Sequence, residues 1–544
     1  MIPRYCKKKP LKNRYRIGRE SVQTEVLIIG GGATGTGLAR DLALRGIHCI
    51  LAEQADINAG ASGSNHGLLH SGGRYVATDP ETAVECLKEN ALLKLLAPQC
   101  IEDTGGLFIG VEGDDENYIA DFPVLCDRLG LPYHPVDLKE VREQEPALTD
   151  RLIAAFHVED ANLDPFKLSL ENLSHAQTLG TSFLPHTRVV AFKKSGRRIR
   201  EAVLEKTRTG EILHVHPEQV VNAAGAWAGE VAALAGAAID LIYSKGSLLV
   251  SYDRITHRVI NRLHRPSDGD ILVPGVAVSL LGTTSVRVES LADIRPTVAE
   301  IDRIVAKASE MLPVLETTRF TRAYAGVRPL IDTHAGEDDR SAGRGFALLD
   351  HSREGLENFA TISGGKLTTY RLMAEKAADL VCKRLGAAGL CQTRSKPLPA
   401  SPAGKWTVPG LASRLWLAGH PPEDAILCAC ELVPKSTVEQ VIDSLEAQRV
   451  DTTLRAVGIR SRMGKGPCQG AFCGLRTTSF MYDRGRLRSD QGLAMLTEFF
   501  RERWKGQRPV LWNGQLIQAE LTEAIHCGLL NLESGDPPDG EKPR

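Results

Sequence analysis

Short apolar runs alternate with glycine-rich and polar segments along the chain, and the first of these units predicts a nucleotide-binding turn. Residues 26–29 (VLII) have the apolar character of a buried parallel strand. Gly30, Gly32 and Gly35 follow in GGGATG and match G-x-G-x-x-G, a spacing that lets a pyrophosphate reach the start of the next helix. Glu53 ends the following strand, where a carboxylate accepts hydrogen bonds from ribose hydroxyls. The pattern predicts a dinucleotide site but does not distinguish NAD from FAD.

Two later apolar segments favour a return of the chain to this nucleotide site. In VVNAAGAWA, a buried strand enters a turn of small residues around Ala224 and Gly225, which would let a second backbone segment pass close to the nucleotide. In ATISGGKLTTYRLMAEKAADL, Gly364 and Gly365 precede an amphipathic helix, whose N-terminus can bind an anion. An ordinary turn between a strand and a helix is the alternative interpretation of the glycine pair.

The segments between these units have a different pattern, with short strands such as SLLGTTSV and one helix, PTVAEIDRIVAKASEML, which indicate an antiparallel sheet. This sheet is the expected substrate domain. Six prolines between Cys391 and Pro422 predict a linker, and a separate module should begin after it. The expected divisions are a basic, disordered tail at 1–23, an oxidoreductase body at 24–390, a linker at 391–423, a cysteine module at 424–480 and a C-terminal extension at 481–544. Within the oxidoreductase body, we expect nucleotide segments near 24–75, 150–235 and 340–390. The substrate segments are expected near 76–150 and 236–335.

Composition restricts the class of protein without identifying it. The chain has 544 residues, 42% hydrophobic and 24% charged, as in soluble globular proteins, and its length predicts about three domains. A formal net charge of −1 provides no overall field for nucleic acid, so we expect no nucleic-acid partner. The most hydrophobic stretch is interrupted by Asn222, Glu230 and Asp240, so we expect no membrane span. Eight basic residues in the first nineteen suggest a solvated tail, with contact to an anionic membrane as the alternative.

Four of the twelve cysteines form a motif, whereas the other eight are scattered as thiols of a reducing compartment are. LCACE contains Cys428 and Cys430, and GPCQGAFC contains Cys468 and Cys473, with 37 residues between the two pairs. Four thiolates can hold zinc or a [2Fe–2S] cluster. Neither pair has the C-x2-C spacing usual for zinc, and the order resembles the bacterioferritin-associated ferredoxin domain. We therefore expect a [2Fe–2S] cluster, with zinc or no metal as alternatives.

Five segments together resemble a known enzyme family. VLIIGGGATGTGLARDLALRG, ASGSNHGLLHSGGRY, VVNAAGAWA, AYAGVRPL and ISGGKLTTYRLMAE are similar to segments of FAD-dependent glycerol-3-phosphate dehydrogenases, within the D-amino-acid-oxidase-like flavoproteins. The four cysteines and FFRERWKG narrow the resemblance to the catalytic A subunits of the anaerobic enzymes, from about residue 24 onward. The resemblance implies an α/β fold with a Rossmann-like FAD-binding domain, an inserted antiparallel-sheet substrate domain and a small C-terminal [2Fe–2S] domain.

The resemblance also implies a reaction, the oxidation of sn-glycerol 3-phosphate to dihydroxyacetone phosphate with hydride leaving C2 for the flavin. Arg74, Tyr75, Arg328 and Lys366 match family positions near the substrate. We assign Arg328 and Arg74 to the phosphate, because guanidinium groups fit phosphate geometry, and Lys366 to the substrate oxygens or the flavin edge. His70 is the candidate base for the hydroxyl proton, so that His70, Lys366 and Arg328 form the expected catalytic set.

Ser64 and His66 lie in the stretch that would pass the flavin ring. The expected FAD contacts are Gly30, Gly32, Gly35, Glu53, Ser64, His66, Ala224, Gly225, Gly364, Gly365, Leu367 and Thr368. One departure from the aerobic relatives concerns the base. They have a histidine after a Lys-Gly pair, whereas Lys245 and Gly246 are followed here by Ser247. If that histidine is their base, this chain must use another group.

The resemblance implies partners as well. One is a B subunit, which contains flavin. The other is a C subunit, which carries iron–sulfur centres, anchors the complex to the membrane and passes electrons to quinone. The chain would then be cytoplasmic and peripheral on the inner face of the cell membrane. Two alternatives remain open, a related FAD-dependent dehydrogenase of amino or hydroxy acids and a non-catalytic iron–sulfur electron carrier.

Overall fold

A computed structural model describes residues 21–331, 345–448, 450–512 and 514–532. The expected tail at residues 1–20, the stretch 332–344 and the last twelve residues of the predicted extension lie outside these ranges. Strands β1 to β12 are Ser21–Ile29, Cys49–Ala52, Leu68–Leu69, Ile101–Glu102, Gly106–Val111, Tyr133–Pro135, Leu152–Val158, Ala161–Leu163, Ser182–Leu184, Thr187–Ser195, Arg198–Lys206 and Ile212–Asn222. Strands β13 to β22 are Leu241–Ser251, Val259–Arg262, Ile271–Pro274, Ser279–Gly282, Val286–Val288, Phe320–Ile331, Phe346–Asp350, Phe359–Gly364, Ile426–Cys428 and Val433–Pro434.

The described ranges contain fifteen α-helices. Helices α1 to α15 are Ala33–Leu44, Pro80–Leu96, Glu116–Leu129, Leu138–Gln144, Pro165–Thr178, Ala228–Ala235, Val298–Ala308, Tyr370–Leu385, Pro402–Lys405, Leu411–Ala418, Lys435–Ala447, Leu454–Arg460, Cys473–Asp483, Gln491–Gln507 and Gly514–Leu530. None of these helices combines the length and apolar character needed to cross a bilayer.

The first sheet carries the nucleotide segments. Its order is β10-β11-β12-β1-β2-β9, and β20 joins β12 and is flanked by β19. The central strands β9, β2, β1, β12 and β20 are parallel, as the βαβ pattern predicts. Residues 26–28 are fully buried because helices cover both faces of a parallel sheet. The carboxyl ends of β1, β12 and β20 meet at one edge, which brings the three predicted nucleotide segments together.

The second sheet forms the inserted domain and has the order β17-β13-β16-β15-β14-β5-β7-β6, with β18 also paired to β13. Its strands are antiparallel except for the parallel pair β14 and β5, so the sheet is mixed. We expected the nucleotide segment to resume near residue 150. The structure instead keeps β7 (Leu152–Val158) in this sheet, beside β5. Helix α7 covers the sheet, with a capping box between Thr297 and Glu300 at its start.

The proline-rich stretch, predicted as a linker, contains α9 and α10 and lies against the nucleotide domain. Arg40 donates to the carbonyl oxygens of Lys396 (2.9 Å) and Pro397 (3.1 Å), and the Leu398 amide donates to the Leu96 carbonyl (2.7 Å). The composition of the segment indicates a chain without helical or strand periodicity. It does not reveal these contacts, because they are made by backbone carbonyls that every residue carries.

The C-terminal helices share a core with the nucleotide domain. One continuous cluster of buried side chains includes Leu38 of α1, Ala377 of α8, Val438 of α11, Leu454 of α12 and Phe499 of α14. Further along, Val510 joins the apolar core of the second sheet. The predicted cysteine module and extension are therefore packed against both sheets in the described part of the chain.

Candidate active site

The turn after β1 is shaped by close backbone contacts that exclude side chains. Gly30 has a φ of +111°, and a Cβ there would lie 2.5 Å from the carbonyl oxygen of Ala223, the residue after β12. A Cβ at Gly35 would lie 1.9 Å from the Gly30 carbonyl oxygen. At Gly32, by contrast, a Cβ would contact only the Ser62 side chain, 2.9 Å from its Oγ. Two glycines hold the turn together, and the third leaves the backbone open toward the cavity.

Glu53 ties the second strand to this turn. Its Oε2 accepts from the Gly31 amide at 2.7 Å and its Oε1 accepts from the Ala55 amide at 2.8 Å. Burial raises the pKa of this carboxyl, while the two backbone hydrogen bonds act in the opposite direction. The side chain predicted to contact ribose therefore also fixes the turn that would hold the pyrophosphate.

A cavity of about 520 Å³ lies at the carboxyl ends of the parallel strands. The predicted residues that line it are Gly30, Gly32, Glu53, Ser64, Tyr75, Ala224, Gly225, Arg328, Gly364, Gly365, Lys366 and Leu367. The predicted residues outside its lining are Gly35, His66, His70, Arg74 and Thr368. Twelve of the seventeen residues proposed for cofactor and substrate thus meet around one space, although they come from six separate stretches of the chain.

Gly225 and Gly326 show why the cavity stays open and how its wall forms. A Cβ at Gly225 would contact nothing within 4 Å, so the small residues of VVNAAGAWA leave room for a ligand. A Cβ at Gly326 would lie 2.5 Å from the Ser64 carbonyl oxygen. The stretch expected to pass a flavin ring therefore packs directly on β18, the strand that carries Arg328.

The glycine pair at 364 and 365 ends β20, but α8 begins later, at Tyr370. Lys366, Leu367 and Thr368 fill this gap, and Thr369 closes it by donating from its hydroxyl to the Lys366 carbonyl at 3.3 Å. Thr368 supports His70 instead of facing the cavity, because its Oγ1 accepts from the His70 amide at 3.0 Å. The expected helix N-terminus is thus set back from the glycines by one loop.

Arg328 is anchored between two strands at the edge of the cavity. It donates to Ser244 Oγ at 3.2 Å, to the Thr284 carbonyl oxygen at 3.0 Å and to the Thr283 hydroxyl. A Cβ at Gly246 would lie 2.4 Å from its Nη2. The Lys-Gly pair noted in the sequence therefore makes room for this guanidinium.

Arg74 has a different environment. Its Nη2 donates to both carboxylate oxygens of Asp270 at 2.9 Å, and Asp270 also accepts from the Ser267 amide at 2.7 Å. Both side chains of the ion pair are largely buried, 12% and 2% exposed. The family resemblance assigns Arg74 to the substrate phosphate, whereas in the structure its guanidinium already forms an ion pair with the Asp270 carboxylate.

His70, Tyr75 and Lys366 form a cluster beside the cavity. The Tyr75 hydroxyl lies 3.5 Å from His70 Nε2, and the Lys366 ammonium lies 4.3 Å from the centre of the Tyr75 ring. His66 contacts the His70 ring edge to face, at 6.1 Å between centroids. Burial, together with the charges of Arg74 and Arg328, lowers the pKa of His66 to about 3, so its imidazole is neutral at physiological pH.

Sequence reasoning missed three groups of this site. Ser62 Oγ accepts from the Ala33 amide at 3.0 Å, at the start of α1. Trp227 lines the cavity, and its ring would contact a Cβ at Gly60 at 3.0 Å. Asp270 holds Arg74. Ser62 could have been inferred from its place in ASGSNHG and Trp227 from its place in VVNAAGAWA, but no local pattern marks Asp270.

The four cysteines of the motif interact with one another. The Cys473 thiol hydrogen-bonds those of Cys428 and Cys468, and this lowers the pKa values of Cys428 and Cys468. Cys430, the exposed member, interacts with Cys468. In the part of the chain that the structure describes, no set of three or more His, Cys, Asp or Glu side chains is arranged as a metal site.

The donor set nevertheless has the chemistry that an iron–sulfur cluster needs. The four soft thiols interact pairwise, Cys428 with Cys473, Cys473 with Cys468 and Cys468 with Cys430. Backbone amides of Gly464 and Glu431 hydrogen-bond the sulfur of Cys428. The amides of Gly470 and Phe472 do the same for Cys468. Hydrogen bonds from backbone amides stabilise thiolates, the form in which cysteine binds iron. The four residues therefore fit a cluster by type, and in this structure their thiols are hydrogen-bonded to one another.

Comparison with known proteins agrees with this geometry. Residues 25–380 match the family described as FAD dependent oxidoreductase. The A subunit of anaerobic glycerol-3-phosphate dehydrogenase from Escherichia coli K12 is 40% identical, covering 95% of this chain and 98% of that protein. The A1 subunit of the same enzyme from Haloferax volcanii is 36% identical, covering 94% and 91%.

Solved structures show the same fold. The glycerol-3-phosphate dehydrogenase of Bacillus halodurans, complexed with FAD, superimposes with a TM-score of 0.63 at 22% identity, covering 90% of this chain and 96% of that one. Glycine oxidase from Geobacillus kaustophilus gives 0.54 at 20% identity, covering 66% and 95%. The chain belongs to the FAD-dependent oxidoreductases and, within them, to the family of anaerobic glycerol-3-phosphate dehydrogenase A subunits.

Proposed function

We propose that this chain oxidises sn-glycerol 3-phosphate to dihydroxyacetone phosphate. The observation that carries the proposal is that Tyr75, Arg328 and Lys366 line the same cavity as the glycine turn. A phosphorylated substrate held by these side chains would lie beside the cofactor of the family. The names of the relatives, which span nearly the whole chain, support the same substrate.

Arg328 is the proposed main contact of the substrate phosphate. Its guanidinium is oriented by Ser244, Thr283 and Thr284, so little conformational entropy is lost when it binds an anion. Arg74 remains a proposed phosphate contact, but Asp270 shares its charge. We therefore expect Arg328 to contribute more to phosphate binding than Arg74 does.

Oxidation at C2 requires that a hydride leave the carbon and that the hydroxyl proton leave the oxygen bound to it. FAD, when bound, supplies the two-electron acceptor for the hydride. His70 would take the hydroxyl proton, directly or through the Tyr75 hydroxyl that lies 3.5 Å from its Nε2. Lys366, over the Tyr75 ring, would stabilise the developing charge on the substrate oxygen.

The proposed ligands of a [2Fe–2S] cluster, which supplies one-electron transfer when bound, are Cys428, Cys430, Cys468 and Cys473. We propose that electrons then leave through B and C partner subunits to the quinone pool, with the chain on the cytoplasmic face of the membrane. The relatives are named as one subunit of their enzymes, which supports a complex of several chains. Measuring iron and zinc in the purified protein distinguishes the cluster from the zinc alternative.

Anaerobic addition of glycerol 3-phosphate to the purified protein tests the proposal directly. We expect the visible flavin absorbance to bleach within a single turnover. D-glycerate, which has a carboxylate in place of the phosphorylated CH2 group, is the control, and it should not bleach the flavin at equal concentration. Bleaching by D-glycerate alone would instead support a hydroxy-acid dehydrogenase, and bleaching by neither compound would contradict both.

A further inference from the structure

A second cavity, of about 710 Å³, lies between the two sheets and the C-terminal helices. It is separate from the nucleotide cavity but shares a wall with it, formed in part by Ser64, Trp227 and Gly326. On the opposite side it reaches Gly466 and Gln469, beside Cys468. The cavity thus lies between the expected flavin position and the four thiols.

Three basic side chains from different parts of the chain line this cavity: Arg322 of β18, Lys465 of the loop between α12 and α13, and Arg503 of α14. Among the described residues, none of the three has a carboxylate oxygen within 4 Å. Each lies against an aromatic ring, and Arg503 also donates to Gln469 Oε1 at 3.1 Å. Arg322 is 5.3 Å from the centre of the Tyr324 ring, Lys465 is 5.7 Å from that of Phe166, and Arg503 is 5.0 Å from that of Phe499.

Five acidic residues also line the cavity. The charges of Asp164 and Glu431 act on Lys465 and that of Glu502 acts on Arg322, but among the described residues none of the five forms an ion pair with the three cations. Glu431 pairs with Arg462, with its Oε2 2.5 Å from the Arg462 Nε. Asp164 caps α5 by accepting from the amides of Phe166 and Lys167. Glu502 pairs with Lys505 at 2.9 Å, and Glu498 is exposed. Glu102 pairs with Arg254. Eight basic side chains line the cavity against these five acidic ones, so its lining carries a net positive charge.

The cations repel one another across the cavity. Burial lowers the pKa of Arg503 to about 9; the charges of Arg322 and Arg455 add to this effect, and the thiols of Cys473 and Cys468 oppose it. Burial also lowers the pKa values of Arg322 and Lys465. An anion between them would relieve the repulsion and replace the lost solvation.

We propose that this cavity is a binding site for a phosphate monoester that carries an aromatic ring. Arg322, Arg503 and Lys465 would bind the phosphate, because guanidinium and ammonium groups complement its oxygens. The aromatic side chains at Trp227, Tyr252 and Tyr324 would stack on the ring. A ligand there would contact the far side of the wall that also borders the nucleotide cavity.

Isothermal titration of the FAD-loaded protein with adenosine 5′-monophosphate, in buffer with excess FAD, tests the proposal. We expect saturable binding of one molecule per chain, about tenfold tighter than that of inorganic phosphate because the rings contribute. Arg322→Gln and Arg503→Gln should each weaken binding about tenfold, and Lys465→Gln should weaken it in the same direction. Flavin content and circular dichroism confirm that the variants are folded, and Lys465→Gln serves if either arginine variant is not.

Two control variants separate this site from other positive charges. Arg501→Gln removes an exposed arginine from the same helix, two residues from Arg503, and should leave the affinity unchanged. Arg328→Ala alters the proposed substrate site and should also leave it unchanged. The proposal is overturned if neither probe binds, if inorganic phosphate binds as tightly as the nucleotide, if Arg501→Gln weakens binding as much as Arg503→Gln, or if Arg328→Ala abolishes binding.

Discussion

In the turn after β1, a methyl group at Gly35 would lie 1.9 Å from the Gly30 carbonyl oxygen, so the turn depends on side chains being absent. In the loops around Cys468 and Cys473, the thiols interact with one another, so the arrangement depends on which side chains are present. The nucleotide turn is made within one short segment. The thiol group is assembled from two segments 37 residues apart.

This difference explains how the two regions respond to change. The turn tolerates almost no substitution at Gly30 and Gly35, because a Cβ at either position must displace main-chain atoms. A site formed by side-chain donors loses its ligand when one donor is replaced, but the surrounding fold keeps its packing. We therefore expect substitutions in the first region to affect folding and substitutions in the second to affect chemistry alone.

The largest effect should come from Gly35→Ala. The added methyl group cannot be accommodated without moving the Gly30 carbonyl and with it the start of α1, so we expect destabilisation of more than about 4 kcal/mol and loss of FAD. Thermal unfolding and flavin content measure both. Gly528→Ala, in α15, is the matched control, since a Cβ there meets nothing within 4 Å. Full flavin occupancy in Gly35→Ala would show that the turn is not constrained as described.

The next effect tests whether the two regions unfold together. Arg460 of α12 donates to both carboxylate oxygens of Asp56, at 2.7 and 3.0 Å, and the two side chains are only 2% and 3% exposed. Arg460→Ala would leave the Asp56 charge buried, at a cost of about 3–5 kcal/mol. Arg188→Ala breaks the exposed pair with Glu205 and should cost less than about 1 kcal/mol. Equal losses of unfolding free energy in the two variants would contradict a core shared by the nucleotide domain and the C-terminal helices.

The same ion pair predicts a pH dependence with a definite sign. Burial alone would raise the pKa of Asp56, but the charge and hydrogen bonds of Arg460 lower it overall. Because the folded pKa lies below the unfolded value of about 3.9, the pair stabilises the protein above that pH. The stabilisation should decrease as the pH falls through the folded pKa. The difference in unfolding free energy between the parent and Arg460→Ala should therefore shrink in acid.

The comparison also shows which features could be predicted from the sequence. The turn at Gly30, Gly32 and Gly35 was predictable because its constraint is steric and local. The thiols of Cys428 and Cys468 were predictable as metal ligands, but their hydrogen bonds to Cys473 were not. The Arg74–Asp270 and Asp56–Arg460 ion pairs join residues far apart in sequence, and no periodicity or motif marks such partners. The same limit applies to the proline-rich segment, whose packing depends on Arg40.

Arg328→Ala should produce an intermediate effect, on catalysis but not on FAD binding. Losing a charge-assisted contact to phosphate should lower kcat/KM by about 100-fold, equivalent to about 2.7 kcal/mol. Arg74→Ala should lower kcat/KM less and stability more, because it leaves the buried carboxylate of Asp270 without its partner. Steady-state kinetics with glycerol 3-phosphate and thermal unfolding of both variants distinguish the two roles. An Arg328→Ala enzyme within about threefold of the parent would mean that another cation binds the phosphate.

The smallest effect on the flavin should come from replacing Cys468 and Cys473 with serine. Hydroxyls are poor ligands for iron, so the variant should lose iron–sulfur absorbance. The residues proposed to bind substrate and cofactor, among them Arg328 and Lys366, all lie outside the thiol loops. Glycerol 3-phosphate should therefore bleach the flavin at a near-normal rate in an anaerobic single turnover, whereas quinone reduction by the assembled complex should fall sharply.

Cys527→Ser, a cysteine outside the motif, is the control for both measurements, and it should change neither rate. Co-purification of the partner subunits with each variant separates a loss of electron transfer from a loss of assembly. If the Cys468→Ser and Cys473→Ser variant assembles and reduces quinone as fast as the parent, the thiols serve structure alone. A slower flavin reduction in a folded variant would instead mean that the cavity behind Ser64 and Gly326, which borders both regions, transmits changes at the thiols to the substrate site.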